Sequence, residues 1–367
     1  MQEKIYTLPE YPVSEDLWDR LAAEARPIVI YGMGNGADKL FDRLAEYGVT
    51  PADIFASDGF VRGHSFRGMR VKSFSEIKEE YSDFVILLAF ASNRPEVIEM
   101  LGEINGKYEM YIPDMPVAGE EEYFDREFYN SNYAEIKSAY ESLCDERSRS
   151  LFASIVRYKL TGKMELLMDN VSEKEDLYKD LPRGKIEKII DVGAYNGDTL
   201  REARCFFPHL KHAIAIEPDR RTFRRLMKYV ERERTFEIEA VNASAWCDSA
   251  EGIFISSGNR NSSVSSTASY ENRAETTRLM KIDDLSAAPD YIKYDVEGAE
   301  LEALIGSRET VRAHRPVLLV SLYHRSRDLF SLINYLRGEY PDYRMLMHRL
   351  PCVPAWEIDL LLLPGIT

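Results

Sequence analysis

The residues best suited to chemistry lie in the second half of the chain. Asp191-Val-Gly-Ala-Tyr-Asn-Gly197 sets two glycines four apart just behind an acid, at the end of the apolar run that begins at Ile186. Glycine lets a backbone approach a ligand closely, and an acid at a strand end can accept hydrogen bonds from a cationic ligand or orient the loop. The spacing is not the G-x-G-x-x-G of a dinucleotide site, so the ligand need not carry phosphate. Glu217, in Glu217-Pro-Asp219, ends the next apolar run, where a carboxylate can hold two vicinal ribose hydroxyls. Asn242 and Ala243 close a third run, Phe236 to Val241, with small and polar residues beside which a flat base can lie. A fourth run ends at Asp295 and is followed by Glu297 and Glu300, three carboxylates where open α/β sheets bind their ligands.

Glycine loop, ribose acid, base wall and strand-end acids arrive in the order expected for S-adenosylmethionine on a class I methyltransferase sheet. The cofactor-binding residues expected are therefore Asp191, Gly193, Ala194, Asn196, Gly197, Glu217, Asn242, Ala243 and Asp295. A sulfonium already activates its methyl, so the protein must align the acceptor, exclude water and take a hydroxyl proton. Asp295 and His324, each at the end of a neighbouring strand, are the candidates for that base. Asp295 could instead fix the donor's amino group or a metal, and no metal ligands are assigned. His324 has an equally ordinary reading as a structural histidine. Lys293 reads as a partner for a nearby carboxylate, Asp283 and Asp284 as helix caps, and Ser256 to Ser269 as a solvent loop.

These residues need strands that end together and helices that follow them. Apolar runs alternate with amphipathic helical stretches in two places, which predicts an α/β protein with two Rossmann-like domains joined by a helical segment. The boundaries expected are 1–118 for a small first domain, 119–181 for a helical connector that docks on its neighbours, and 182–367 for the second domain. The last two apolar runs, Tyr343 to Met347 and Trp356 to Leu363, lack an intervening helix and suit an antiparallel hairpin on the edge of a mostly parallel sheet. In the first domain, Gly32-Met-Gly34-Asn-Gly-Ala37 fits G-x-G-x-x-A, with Asp58 as the matching ribose acid. The domain is short and shows no second mononucleotide half, which favours a structural module over a bound dinucleotide.

The second half resembles the FkbM-type methyltransferases. The resemblance rests on Asp191 to Thr199, Glu217-Pro-Asp219, Asp283-Asp-Leu285, Ile292-Lys-Tyr-Asp-Val-Glu-Gly-Ala-Glu300, Arg315-Pro316 and Tyr323-His324, in that order. It implies methyl transfer from S-adenosylmethionine to an oxygen, often a hydroxyl of a sugar or natural product. The stretch from Ile28 to Val71 resembles the small N-terminal domains of sugar acyltransferases, which implies a nucleotide-sugar or acceptor-presenting role, or none. Two other functions compete: a nucleotide or sugar-nucleotide binding module whose second domain only scaffolds, and a nicotinamide-dependent oxidoreductase using the first.

Composition bounds the rest. With 367 residues, 45% hydrophobic and 30% charged, the chain has the make-up of a folded globular protein of about two domains. Its net charge of -15 argues against a nucleic-acid partner. The four cysteines form no C-x-x-C pair, the N-terminus is acidic and broken by prolines, and no apolar run approaches the roughly twenty residues of a membrane span. Cytoplasmic location, no membrane partner and a small-molecule acceptor, with sugars and sugar-nucleotides among the candidates, are the expectations; a homo-oligomer is compatible with them.

Overall fold

The computed structural model describes residues 4–61, 63–118, 122–169, 171–255, 263–265 and 274–365. Helix α1 (Leu17–Ala22) precedes a sheet built from Ile28–Tyr31 (β1), Asp53–Ala56 (β2), Lys72–Ser73 (β3), Val85–Leu88 (β4) and Met110–Tyr111 (β5). The strand order is β3-β2-β1-β4-β5 and every pairing is parallel. Strands β1, β2 and β4 are buried at every residue. That burial requires cover on both faces. Helices α2 (Asn35–Glu46), α3 (Phe74–Glu80) and α4 (Pro95–Asn105) are the crossovers.

The next segment is helical: α5 (Arg126–Ser131), α6 (Tyr133–Ser142), α7 (Glu146–Thr161), α8 (Met164–Met168) and α9 (Lys174–Lys179). Its centre is α7, where Leu151, Phe152, Ile155, Val156, Tyr158 and Leu160 are all buried. A helix apolar on several sides must lie between layers. One contiguous core accordingly joins Val29, Tyr31 and Ile86 of the first sheet, through Phe124, Ile155 and Tyr158, to Ile190, Ile292 and Leu360 of the second. Asp145 starts α7 by accepting a hydrogen bond from Ser148 N, and Gly162 ends it at φ +64°.

The second sheet contains Lys188–Val192 (β6), His212–Ile216 (β7), Glu237–Val241 (β8), Tyr291–Tyr294 (β9), Val317–Ser321 (β10), Arg344–Arg349 (β11) and Ile358–Leu363 (β12). The order is β8-β7-β6-β9-β10-β12-β11, parallel except that β12 runs against both neighbours. Helices α10 (Asp198–Phe206), α11 (Arg220–Val230), α12 (Glu300–Ile305), α13 (Arg308–His314) and α14 (Asp328–Glu339) complete the cover. The terminal hairpin is antiparallel, but β12 is inserted between β10 and β11, so β11 takes the edge. A run buried from Ile358 to Leu362, with leucines on both faces, suits the sheet interior, where layers cover both faces and a strand on either side takes its backbone hydrogen bonds.

A small four-stranded sheet of Ser244–Ala245, Ala250–Ile255, Ser263–Ser265 and Ala274–Met280 follows β8. Of the expected solvent loop from Ser256 to Ser269, residues 263–265 are thus a strand and the remainder lies outside the described residues. Asp283 accepts Thr310 N at 2.8 Å and so braces the start of α13 from outside that helix, rather than capping a helix of its own.

Candidate active site

The order reversal between β6 and β9 opens a crevice beyond the strand ends, where parallel sheets bind ligands. A cavity of about 540 Å³ fills it. The loop after β6 is pressed against the loop after β9. Gly193 has φ +87°, and a Cβ there would stand 1.8 Å from the Asp295 carbonyl oxygen, so only glycine fits. Gly197, at φ +83°, is less tightly held, since a Cβ at that position would stand 2.5 Å from the Tyr229 ring.

The expected cofactor residues divide into two groups. Gly193, Glu217, Ala243 and Asp295 line the cavity. Asp191, Ala194, Asn196, Gly197 and Asn242 stand behind it and build its walls. Ala194 is fully buried in the core beneath α10. Asn196 turns to α10, where its side chain and carbonyl oxygen accept from Arg201. Asn242 Nδ2 donates to the carbonyl oxygens of Glu217 at 2.8 Å and Pro218 at 3.1 Å, fixing the tip of β7. These five are thus packed behind the cavity wall, where small or polar residues at strand ends serve the loop's own packing.

Glu217 is oriented from both sides. Its Oε2 accepts Tyr195 N at 3.0 Å and its Oε1 accepts Asp219 N at 2.8 Å, leaving each oxygen a lone pair for a ligand hydroxyl. Burial pushes its carboxyl up to about 8 against the lowering effect of those bonds. Asp191 is 1% exposed with no hydrogen-bond partner on either oxygen among the described residues. Burial pushes it to about 7, moderated by Lys293, its neighbour across the β6–β9 pairing.

Asp295 is the hub. Lys293 Nζ donates to its Oδ2 at 2.8 Å, and the Tyr323 hydroxyl donates to Oδ1 at 3.3 Å. Burial raises its pKa, but the Lys293 and His324 charges and these hydrogen bonds outweigh burial and hold it at about 2. His324 is 1% exposed, with Nδ1 2.9 Å from Glu300 Oε1 and Nε2 3.5 Å from Asp295 Oδ1 and 3.6 Å from Glu297 Oε2. Burial would lower its pKa, yet Glu300, Glu297 and Asp295 lift it to about 10. An imidazolium has no lone pair to offer, so the base role expected of His324 is not available to it near neutrality; it serves as a fixed cation between carboxylates.

Sequence reasoning gave Lys293 little weight and missed Tyr195, Tyr291 and Asp359 on the cavity wall. An acid inside the otherwise apolar run Ile358 to Leu363 was the available signal for Asp359. Asn93 and Pro95 of the first sheet's last crossover also line the cavity, and nothing in their own sequence marks them. Tyr195, Glu297 and Glu357, at φ +45°, +55° and +57°, put left-handed, non-glycine backbone at this one cavity. Such conformations cluster where a structure over-determines a functional loop.

In the first sheet, a Cβ on Gly36 would stand 2.5 Å from the Ala89 carbonyl oxygen and one on Gly32 2.8 Å from the Phe90 ring. The glycine fingerprint thus serves contact between the loops after β1 and β4. Asp58 accepts Ser75 Oγ at 2.7 Å and Ser75 N at 3.1 Å, so it braces the start of α3.

Among the described residues no helix is long and apolar enough to cross a membrane, and no group of three or more His, Cys, Asp or Glu is placed to hold a metal. The Methyltransferase FkbM domain family model matches residues 191–349. No curated protein matches the chain. Among solved structures, the chain is similar to methyltransferase FkbM from Methylobacillus flagellatus KT, at 21% identity over 97% of this chain and 94% of that one, with a TM-score of 0.68. It is also similar to Aeropyrum pernix fibrillarin, solved with natively bound S-adenosyl-L-methionine, at 15% identity over 50% of this chain and 69% of that one, with a TM-score of 0.33. The first likeness extends over both sheets and the helices between them, and shows a shared fold.

Proposed function

From the match of residues 191–349 to the FkbM methyltransferase domain model, we propose that this protein transfers a methyl group from S-adenosylmethionine to an oxygen of a carbohydrate-like or other small hydroxylated acceptor. The observation that carries the reading is Glu217. It is a buried carboxyl group at a strand tip on the cavity wall, with each oxygen accepting one backbone N–H. That is a fit for two vicinal ribose hydroxyls. Ala243, Ser244 and Ala245 give the adjoining flat wall for adenine. The excess of carboxylates over lysines around the cavity suits a cationic sulfonium.

When bound, S-adenosylmethionine supplies a methyl already activated on a sulfonium. Asp295, held ionised, would accept the hydrogen bond of the acceptor hydroxyl and take up its proton. Lys293 and His324 keep the Asp295 carboxylate charged and aimed. Cys144, Cys205 and Cys247 carry free thiols, which supports a reducing, cytoplasmic setting.

Isothermal titration of the full chain with S-adenosylmethionine and S-adenosylhomocysteine tests the reading. Micromolar binding is expected, and no heat with either would refute it. Glu217→Ala should weaken donor affinity about 30-fold, the size of two lost hydrogen bonds of about 1 kcal/mol each, with the circular dichroism spectrum unchanged. The fit of Ala89 and Phe90 against Gly36 and Gly32 weighs against the alternative of a nucleotide sensor on the first sheet.

A further inference from the structure

The cavity has a second half lined by sheet and α9 residues rather than by Glu217 and the loop after β6. It extends along one face of the second sheet, over Tyr291, Leu319 and Asp359, beneath Leu177 and Tyr178 of α9. Strand alternation puts these sheet residues on one side: Lys293 pairs with Leu319, Leu319 with Leu361, and Asp359 lies two residues before Leu361. Resting on the methyl-transfer reading, we propose that this half receives an acceptor bearing a protonated amine beside its hydroxyls, an amino sugar or amino alcohol, and that Asp359 binds the amine.

Two buried groups lack what such a ligand would bring. Asp359 is 8% exposed, has one hydrogen bond, from Ser321 Oγ at 3.3 Å, and has no cation within ion-pair distance among the described residues. The Tyr291 hydroxyl belongs to a side chain 3% exposed and has no hydrogen-bond partner among the described residues. A carboxyl held by one long hydrogen bond and a phenol on the cavity wall both have bonding capacity to spare, and a ligand with an ammonium beside a hydroxyl offers a partner to each. Leu177, Leu319 and the Tyr178 ring supply apolar contact for the carbon face of a small ring.

Charge selects the same class. Nine carboxylates and two lysines line the whole cavity, and both lysines are engaged, Lys174 with Glu202 and Lys293 with Asp295. A phosphorylated or carboxylated acceptor would enter a field of its own sign with no uncommitted cation among the lining residues.

The test uses the full chain saturated with S-adenosylhomocysteine and titrated with glucosamine, glucose and glucose 6-phosphate. Glucosamine should bind at least tenfold more tightly than glucose, and glucose 6-phosphate should give no heat. Asp359→Asn should erase the preference for the amine, and Tyr291→Phe should reduce it several-fold, with S-adenosylhomocysteine binding retained as the measure of an intact fold. Binding of glucose 6-phosphate equal to or tighter than that of glucosamine, no heat with glucosamine, or a preference surviving in Asp359→Asn would overturn the assignment. Each of those results leaves the donor reading standing, because S-adenosylhomocysteine is bound throughout; failure to bind it would instead refute that reading by itself.

Discussion

Asp295 and His324 occupy one charge network with opposite roles. Replacing Asp295 by Asn removes the proton acceptor while keeping its shape, and should lower kcat about 100-fold or more with donor affinity changed little. The titration of His324 has a stability consequence with a definite sign. Its pKa is raised from 6.5 to about 10 in the folded chain, so its contribution is fully present below about 6.5 and is lost as pH rises through 10. Glu217 and Asp359, raised to about 8 and 7, also bind protons more tightly when folded and act in the same direction. The ligand-free protein should therefore melt at progressively lower temperature from pH 6 to pH 10. In His324→Gln the fall above pH 8 should flatten; an identical slope in both proteins would show that His324 is not the cation inferred. What made Asp295 and His324 visible was their place at strand ends. Their protonation was not, because it depends on Glu297 and Glu300 arriving from the next turn and on the exclusion of water, neither of which residue spacing reports.

At the scale of elements, the glycine loop and the strands around it were the most readable part of the chain. The run from Ile186 to Gly197 combines an apolar strand, a turn needing positive φ and an amphipathic helix, so local preference and global fold agree. Gly193→Ala tests the contact behind that agreement. A methyl group 1.8 Å from the Asp295 carbonyl must separate the loops after β6 and β9. The expected loss is about 3 kcal/mol of stability, read from urea unfolding, together with donor affinity. The position of β12 was less legible, because pairing order is decided by which neighbours cover its two faces. Asp359 went unnoticed for a like reason: its significance depends on lying beside Ser321 of the neighbouring strand at the cavity, not on its own sequence context.

For the whole molecule, composition and periodicity indicated two α/β units but gave little on how they join. The junction is built by α7, whose buried residues contact both sheets, and by Lys159 Nζ donating to Asp114 Oδ2 at 2.7 Å between buried side chains. A core shared in this way should unfold as a unit. Calorimetry of the full chain is expected to show one transition whose van't Hoff and calorimetric enthalpies agree, and a fragment of residues 182–367 should be poorly folded because it exposes the face that α7 covers. Two separated transitions would mean that the shared core contributes little to cooperativity.

The antiparallel bridge between Ser92 and Val353, with N–H···O distances of 2.7 and 2.9 Å in the two directions, ties the loop after β4 to the turn between β11 and β12. Asn93 and Pro95 on one side of that tie and Leu350 and Pro351 on the other face the same cavity. Any effector that displaces the first sheet's loop must then change the free energy of acceptor binding. By thermodynamic reciprocity, a bound acceptor changes the affinity for that effector by the same factor.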